Sequence, residues 1–315
     1  MKYLICQDIH LKGINSEHRI GNYYSDIMTK IKEIISIAKE KEVSSILCGG
    51  DIFDIPVVSN LIVDELVDLI EYSEIHWQVV PGNHDEIGHS WNNSKGTSLA
   101  HIFRRSDMIN KFEWEQRVDI DIIDKEKDMK TYIQGFEYYH DIEQDLKNYG
   151  LYINDNAPNK SYKIALVHAL IVEKKLPTEM CITIDEVKTD FDVVFIAHNH
   201  KQFDITKNGT RFINLGCIGR RKTDEFDIKP KVAIFDTETK EIELIILKSA
   251  KKGSEVFDLE GVAKNKEYEN EVNNFISSLT EEKFEELDLL DIIEKLAKES
   301  KLENEIKNEV IRRIE

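Results

Sequence analysis

Five short runs rich in Ile, Val, Leu and Phe, at residues 3–7, 44–49, 75–80, 162–168 and 192–197, each end at a Gly, Asp, Asn or His. Runs of this length with polar or turn-forming ends are the pattern of buried strands. Between them lie segments of helical period: Ile27, Ile31, Ile34, Ile35 and Ala38, then Leu61, Leu66, Leu69 and Ile70. Strand alternates with helix through the first half of the chain. From Phe112 to Glu137, and again from Phe203 to Leu247, the pattern is strand after strand, with Asn208-Gly209 as a hairpin turn. Sheets flanked by helices predict an α/β fold, a four-layer α/β/β/α sandwich that reaches to about residue 250.

At 315 residues, 41% hydrophobic and 32% charged, the chain has enough apolar surface for one large domain with an appendage. No apolar run approaches the length of a bilayer span, and Tyr3-Leu4-Ile5-Cys6 passes straight into polar Gln7-Asp8. The expectation is a soluble cytoplasmic protein with no membrane partner. Cys6, Cys48, Cys181 and Cys217 show no Cys-x-x-Cys spacing, and three of them sit in apolar runs, so they read as core thiols of a reducing compartment. A formal charge of −18 argues against a surface that grips nucleic acid all over.

Residues 251–270, with Lys251-Lys252-Gly253-Ser254 and little periodicity, read as a linker. Beyond them Val272, Phe275, Ile276 and Leu279 share one helical face, as do Phe284, Leu287, Leu290, Ile293 and Leu296, with Thr280 as an N-cap. A third stripe runs through Leu302, Ile306, Val310 and Ile314. A short helical arm over 271–315 is expected, packed on itself or the main domain, or docked on a partner's helices.

Asp8-Ile9-His10, Gly50-Asp51, Gly82-Asn83-His84-Asp85, His168 and His198-Asn199-His200 stand where the five apolar runs stop. Ligand sites in α/β sheets lie outside the carboxyl ends of the strands, so all five are placed to converge on one crevice. Each alone is a weak signal; the set in this order is a strong one. Carboxylate, amide carbonyl and imidazole donors suit a pair of divalent ions such as Mn²⁺, Fe²⁺ or Zn²⁺, and the thiolates of a structural zinc site are absent. The candidate ligands are Asp8, His10, Asp51, Asn83, His168, His198 and His200. Asp51 is the candidate bridge, because a two-metal site wants one shared carboxylate. His198 and His200 serve different ions if the chain turns between them. His84, beside Asn83 but distinct from it, is the candidate catalytic residue, as a general acid or a phosphate contact. Asp85 either orients it or caps a helix. Such a centre implies hydrolysis of phosphoesters.

These residues resemble the calcineurin-like metallophosphoesterases, and within that superfamily the SbcD-type DNA repair nucleases and their phage counterparts. The resemblance covers roughly residues 1–250. It rests on Asp8-Ile9-His10-Leu11, Arg19 before a long helix, Gly50-Asp51-Ile52-Phe53-Asp54, Val80-Pro81-Gly82-Asn83-His84-Asp85, and Phe191 through His200. It implies that Asp8, His10, Asp51 and His200 hold one metal, that Asp51, Asn83, His168 and His198 hold the other, and that His84 takes the catalytic histidine position. It further implies Mn²⁺-dependent exonuclease and endonuclease action on DNA, a homodimer, and assembly with an SbcC-type coiled-coil ATPase. Ala197 replaces a usual Gly before the His-x-His pair, and Asp54 stands where some relatives carry a histidine. The stretch after residue 250 is short for the usual capping domain.

Arg220-Arg221-Lys222 is the best basic cluster, a solvated charge run or a contact for the DNA backbone. Two divalent ions would add four positive charges at the crevice, where local field outweighs net charge. A phosphoesterase for small nucleotides or phosphoproteins is the rival enzymatic reading, and a non-catalytic scaffold is the third.

Overall fold

The alternation of apolar strand and amphipathic helix is realised in a computed structural model that describes residues 1–112, 118–120, 130–152, 161–176, 180–263 and 312. The chain begins β1 (Lys2–Cys6), α1 (Tyr23–Glu40), β2 (Ser45–Cys48), α2 (Asn60–Ser73) and β3 (His76–Val79). It continues through α3 (Ser98–Arg105), β4 (Ile109–Lys111), β5 (Val118–Ile120), β6 (Lys130–Phe136) and α4 (Ile142–Tyr149). Then come β7 (Ser161–Ala169), β8 (Ile171–Val172), β9 (Ile182–Thr183) and β10 (Val193–His198). The last strands are β11 (Phe203–Lys207), β12 (Thr210–Asn214), β13 (Lys231–Asp236) and β14 (Ile242–Ile246). The strands form two six-stranded sheets, in the orders β14-β13-β1-β2-β3-β4 and β11-β12-β10-β7-β6-β5, while β8 and β9 pair apart.

Alternation along β1 explains how the layers stack. Leu4 and Cys6 face outward to the helices, packing with Ile46, Cys48 and Trp77 against Ile27, Ile31, Ile34, Leu66 and Ile70. Tyr3 and Ile5 face inward with Leu47 and Val80, meeting Ile164, Leu166, Val193, Phe195 and Ile213 of the second sheet. The far side of that sheet, with Ala165, Val167, Val194 and Ile196, is covered by Ile142 and Leu146 of α4 and by Phe191. The order is helix, sheet, sheet, helix.

Register sets the ends of the strands in step. Cys6 lies opposite Cys48 and Cys48 opposite Val79 in the parallel pairs of the first sheet. Ala197 lies opposite His168 in the second. The Asn208-Gly209 turn joins antiparallel β11 and β12, both residues having the positive φ (51° and 89°) that a two-residue hairpin needs. The helices α3 and α4 were not signalled by periodicity; at eight residues each they are too short to show it. Helix α1 begins where the Asn22 side chain accepts the Ser25 amide at 2.9 Å.

Met1–Val256 is one compact unit and Phe257–Glu315 a second. Of the second, residues 257–263 and Arg312 are described; the stripes expected over 271–315 lie outside the described residues, as do parts of the Phe112–Glu137 stretch. All four cysteines are buried free thiols. Among the described residues no helix is long and apolar enough to cross a membrane.

One polar residue sits on the buried face of α1. Lys30 is 2% exposed, and burial, then the neighbouring cations Arg19 and Arg220, pull its pKa from 10.5 to about 8. Below pH 8 the ammonium is charged in folded and unfolded chains alike, and the folded state bears the full cost of burying it. Between the two pKa values the folded chain sheds the proton while the unfolded chain keeps it, so the cost fades as pH rises. Lys30→Met is therefore expected to raise the unfolding free energy by about 2 kcal/mol at pH 7. Urea titrations of both proteins should show that gain shrinking from pH 8 towards 10.5; a gain that is absent, or the same at every pH, contradicts this account of Lys30.

Candidate metal centre

Every candidate ligand sits just past, or at, the carboxyl end of a parallel strand. Asp8 and His10 follow β1, Asp51 follows β2, and Asn83 follows β3, while His168 and His198 lie at the ends of β7 and β10 and His200 follows β10. Four of these seven side chains hang from left-handed backbone: Asp8 at φ 49°, His10 at 53°, Asp51 at 51° and His198 at 79°. Asp and His tolerate this region better than most residues, but it costs about 1 kcal/mol or more each and persists only where neighbours enforce it. The enforcing contacts are backbone bonds between the two loops: Asp8 N to Gly50 O at 3.0 Å, His10 N to Asp51 O at 2.9 Å and Leu11 N to Ile52 O at 2.8 Å. Gly50 (φ 109°) and Gly82 are needed for close approach, since a Cβ on either would come within 2.5 Å of the His168 ring.

The side chains meet in two overlapping groups. His10 Nε2 lies 3.0 Å from His200 Nε2, with Asp8 Oδ1 4.0 Å and 3.9 Å from these same nitrogens. Asn83 Oδ1 lies 2.7 Å from His198 Nδ1 and 3.1 Å from His168 Nε2. Asp51 Oδ2 is 3.6 Å from both His10 Nε2 and His168 Nε2, and so touches both groups. His200 thus stands with Asp8 and His10, and His198 with Asn83 and His168.

The protons have been placed for cation binding. His168 Nδ1 donates to the Gly49 carbonyl at 2.8 Å, which leaves its Nε2 lone pair facing Asp51. His200 Nδ1 donates to Glu225 Oε1 at 2.5 Å, which turns its Nε2 towards His10. Against the downward pull of burial, Cys217, Glu225 and Asp8 raise His200 to about 11. Cys217 is itself raised by burial and stays a thiol at neutral pH, so the lasting anion beside Nδ1 is Glu225. Burial, reinforced by the surrounding histidines and by Arg221, holds His10 well below its ordinary range, and burial presses His198 down to about 3. Asp8, fully buried, is raised by desolvation. Among the described residues no lysine or arginine pairs with Asp8 or Asp51. Buried carboxylates that no lysine or arginine pairs with, beside imidazole nitrogens 3.0 Å apart, form a site that draws in positive charge, and of the two rings His200 is the one that takes up a proton. The donor set fits divalent metal ions, and three clusters that could hold one come from these residues: Asp8, His10 and His200; His10, Asp51 and His84; Asp51, His168 and His198.

The family model for calcineurin-like phosphoesterases matches residues 1–202. The chain belongs to that family. It is a metallophosphoesterase, a hydrolase acting on phosphoester bonds. An archaeal phosphodiesterase is similar over 78% of this chain and 100% of its own, at 18% identity and a TM-score of 0.41. A Thermus thermophilus protein matches 78% of this chain and 99% of its own, at 9% identity and a TM-score of 0.45. A putative 5′-nucleotidase of Staphylococcus aureus matches 78% of this chain and 54% of its own, at 12% identity and a TM-score of 0.42. No curated protein sequence matches the chain.

Around the metallophosphoesterase ligands stand residues that motif reading passed over. Glu225 fixes the His200 tautomer, as above. Gln7 Nε2 donates to Asp8 Oδ2 (3.1 Å) and the Ile196 carbonyl (2.8 Å), tying the two sheets together at the ligands. Asn214 donates to the Asn199 carbonyl and holds the loop between His198 and His200. Asp54, quoted in the Gly50-Asp51-Ile52-Phe53-Asp54 motif and as a departure from some relatives but given no role, accepts Lys12 at 2.7 Å and Arg221, and its carboxylate is 3.5 Å from His10 Nδ1. Burial would raise Asp54, but Arg221 and Lys12 hold it below its ordinary value. Asp85 does not orient the His84 ring. Its carboxylate accepts the amides of Gly82, Ile52 and Phe53, pinning two ligand loops, while His84 Nδ1 meets the Asp54 carbonyl at 2.6 Å. The basic cluster divides. Arg220 is buried, its guanidinium donating to the Phe226 and Lys251 carbonyls, so it offers nothing to a ligand at the surface. Arg221 and Lys222 line a cavity of about 380 Å³ with His84, His198 and His200.

Asp51→Ala is expected to strip both metal positions together when metal content is measured by mass spectrometry after dialysis; two ions retained per chain mean that Asp51 is not shared. Glu225→Gln, which keeps the shape but weakens the hold on His200, should lower metal affinity by roughly 10- to 100-fold.

Proposed function

We propose that the chain is a two-metal nuclease that hydrolyses the phosphodiester bonds of DNA, the nuclease subunit of an SbcC-SbcD-type repair and recombination complex. The observation that carries this reading is the Asp51 carboxylate, equidistant at 3.6 Å from a nitrogen of each ligand group. In this reading Asp8, His10, Asp51 and His200 hold one ion and Asp51, Asn83, His168 and His198 the other, with Mn²⁺ the preferred metal and Mg²⁺, Fe²⁺ or Zn²⁺ able to use the same donors. Divalent ions supply, when bound, an acidified water and positive charge against the phosphate oxygens.

The chain's own residues do the rest. His84 donates through Nδ1 to the Asp54 carbonyl, which turns Nε2 towards the cavity. From there a protonated His84 gives its proton to the leaving oxygen. Arg221, held by Asp54, and exposed Lys222 place positive potential along the cavity wall, where the approaching strand is anionic. The Gly50-Asp51-Ile52-Phe53-Asp54 form favours a nuclease over a phosphatase by resemblance, and a homodimer with an SbcC-type ATPase would supply the wider DNA grip that a net charge of −18 denies this chain. That same charge favours the rival, a phosphodiesterase or phosphatase for small nucleotides or phosphoproteins.

Purified protein given Mn²⁺ and linear DNA, beside bis-nitrophenyl phosphate and cyclic nucleotides, separates the two: DNA should be cleaved by preference. His84→Ala should keep its metals and lose roughly 100- to 10,000-fold in DNA turnover. Normal cleavage by that variant with metal content intact removes His84 from the chemistry.

A further inference from the structure

A row of rings leads from the metal centre to the surface. The Tyr138 ring stacks on His198 at 5.8 Å with the planes 25° apart, and its edge meets His168 at 6.2 Å. His89 follows at 5.8 Å from Tyr138, and His140 at 5.7 Å from His89. Tyr138 is half-buried, while His89 and His140 are exposed. The rings come from two loops distant in sequence, one after Asn83 and one after β6, so no helical or strand period aligns them. Tyr138 is fixed by its amide, which donates to the Pro81 carbonyl at 3.1 Å, and its hydroxyl lies 3.3 Å from His89 Nδ1. His89 adopts left-handed backbone at φ 55°, a conformation uncommon outside glycine.

Cations gather on the other side of the segment that carries Tyr138. Glu137, the chain neighbour of Tyr138, pairs with Lys111 at 2.5 Å, and the Lys111 ammonium stands 5.1 Å from the centre of the Trp91 ring. Trp91, Lys111, Lys95 and Arg104 line a cavity of about 330 Å³ that no carboxylate lines. Lys111 is answered by Glu137, so the charge the hollow offers comes from Lys95 and Arg104; in a chain with 60 acidic and 42 basic residues, a hollow lined by these two cations favours anions. Aromatic rings followed by cations are what a single nucleic-acid strand requires, the rings for its bases and the cations for its phosphates.

We propose that Tyr138, His89 and His140 form a base-stacking shelf for the nucleotide beside the scissile phosphate, and that the next phosphates of the same strand enter the cavity by Trp91. This rests on the phosphodiesterase reading and adds to it the substrate class: a single-stranded, base-bearing polynucleotide. An isolated phosphate or a phosphoprotein would leave the rings unused.

The test compares two fluorescent strands, phosphorothioate-linked pentathymidylate and the same backbone with abasic sugars, binding the full chain in Mn²⁺ and followed by anisotropy. The wild type should bind the base-bearing strand about tenfold more tightly, the effect of stacking one base on an aromatic ring. Tyr138→Ala and His89→Ala should each remove most of that preference without changing affinity for the abasic strand, and Tyr138→Phe should keep it. Arg104→Ala should weaken both strands alike and flatten the salt dependence by about 0.7 in log–log slope. Equal wild-type affinities, a preference that survives both alanine changes, or equal losses for both strands would overturn the shelf. Hydrolysis of the phosphodiester-linked strand is scored separately. Base preference without cleavage leaves the shelf standing and removes the nuclease reading, and cleavage without base preference does the reverse.

Discussion

Two carboxylates taken out of water, Asp8 and Asp51, which no lysine or arginine among the described residues pairs with, are the constraint on which the rest of this molecule depends. They repel each other across a low-dielectric gap between adjacent parallel strands, and burial raises the pKa of Asp8. Their surroundings keep them aimed: the His84 amide donates to Asp51, the His198 amide donates to Asp8, and imidazole nitrogens face both. The backbone that carries them is left-handed and is held by hydrogen bonds from one loop to the next. Such an arrangement is unstable in isolation and stable around divalent cations, which ties the strain of the loops to the chemistry of the family.

The sandwich was readable in the sequence because its strands are apolar on both faces and stop abruptly. A strand buried between a helix layer and a second sheet needs no polar face, so its run is continuous, and the ligand at its end is conspicuous for that reason. The candidate ligands were legible on the same grounds. The supporting residues were not. Glu225 lies in a loop before β13 and reaches His200 only because β12 runs parallel to β10, a pairing that local pattern does not specify. Asp54 sat in a motif that was read for Asp51, and its carbonyl rather than Asp85 turned out to orient His84. Tyr138 could have been found by the strand-end rule applied once more, since it stands two residues past β6. Arg220 shows the opposite failure: a charge run looks solvated in sequence, yet its first member is core.

Net charge and local charge pull apart in this chain. The formal charge is −18, whereas Arg221, Lys222 and Lys12 gather by the metal centre and Lys95, Arg104 and Lys111 by Trp91. A polyanion approaching the protein is repelled at long range and accepted at short range.

The first strand has a neighbour from the far part of the chain. β1 pairs on one side with β2 and on the other, antiparallel, with β13, and the Asp8 carbonyl receives the amide of Ile218. As the polypeptide leaves the ribosome, Asp8 and His10 emerge more than two hundred residues ahead of Lys231–Asp236, and their strand keeps an open flank until that stretch has been made. A cation meeting the nascent chain early finds donors but no framework, so loading of the centre is deferred until synthesis has passed the last strands of the domain.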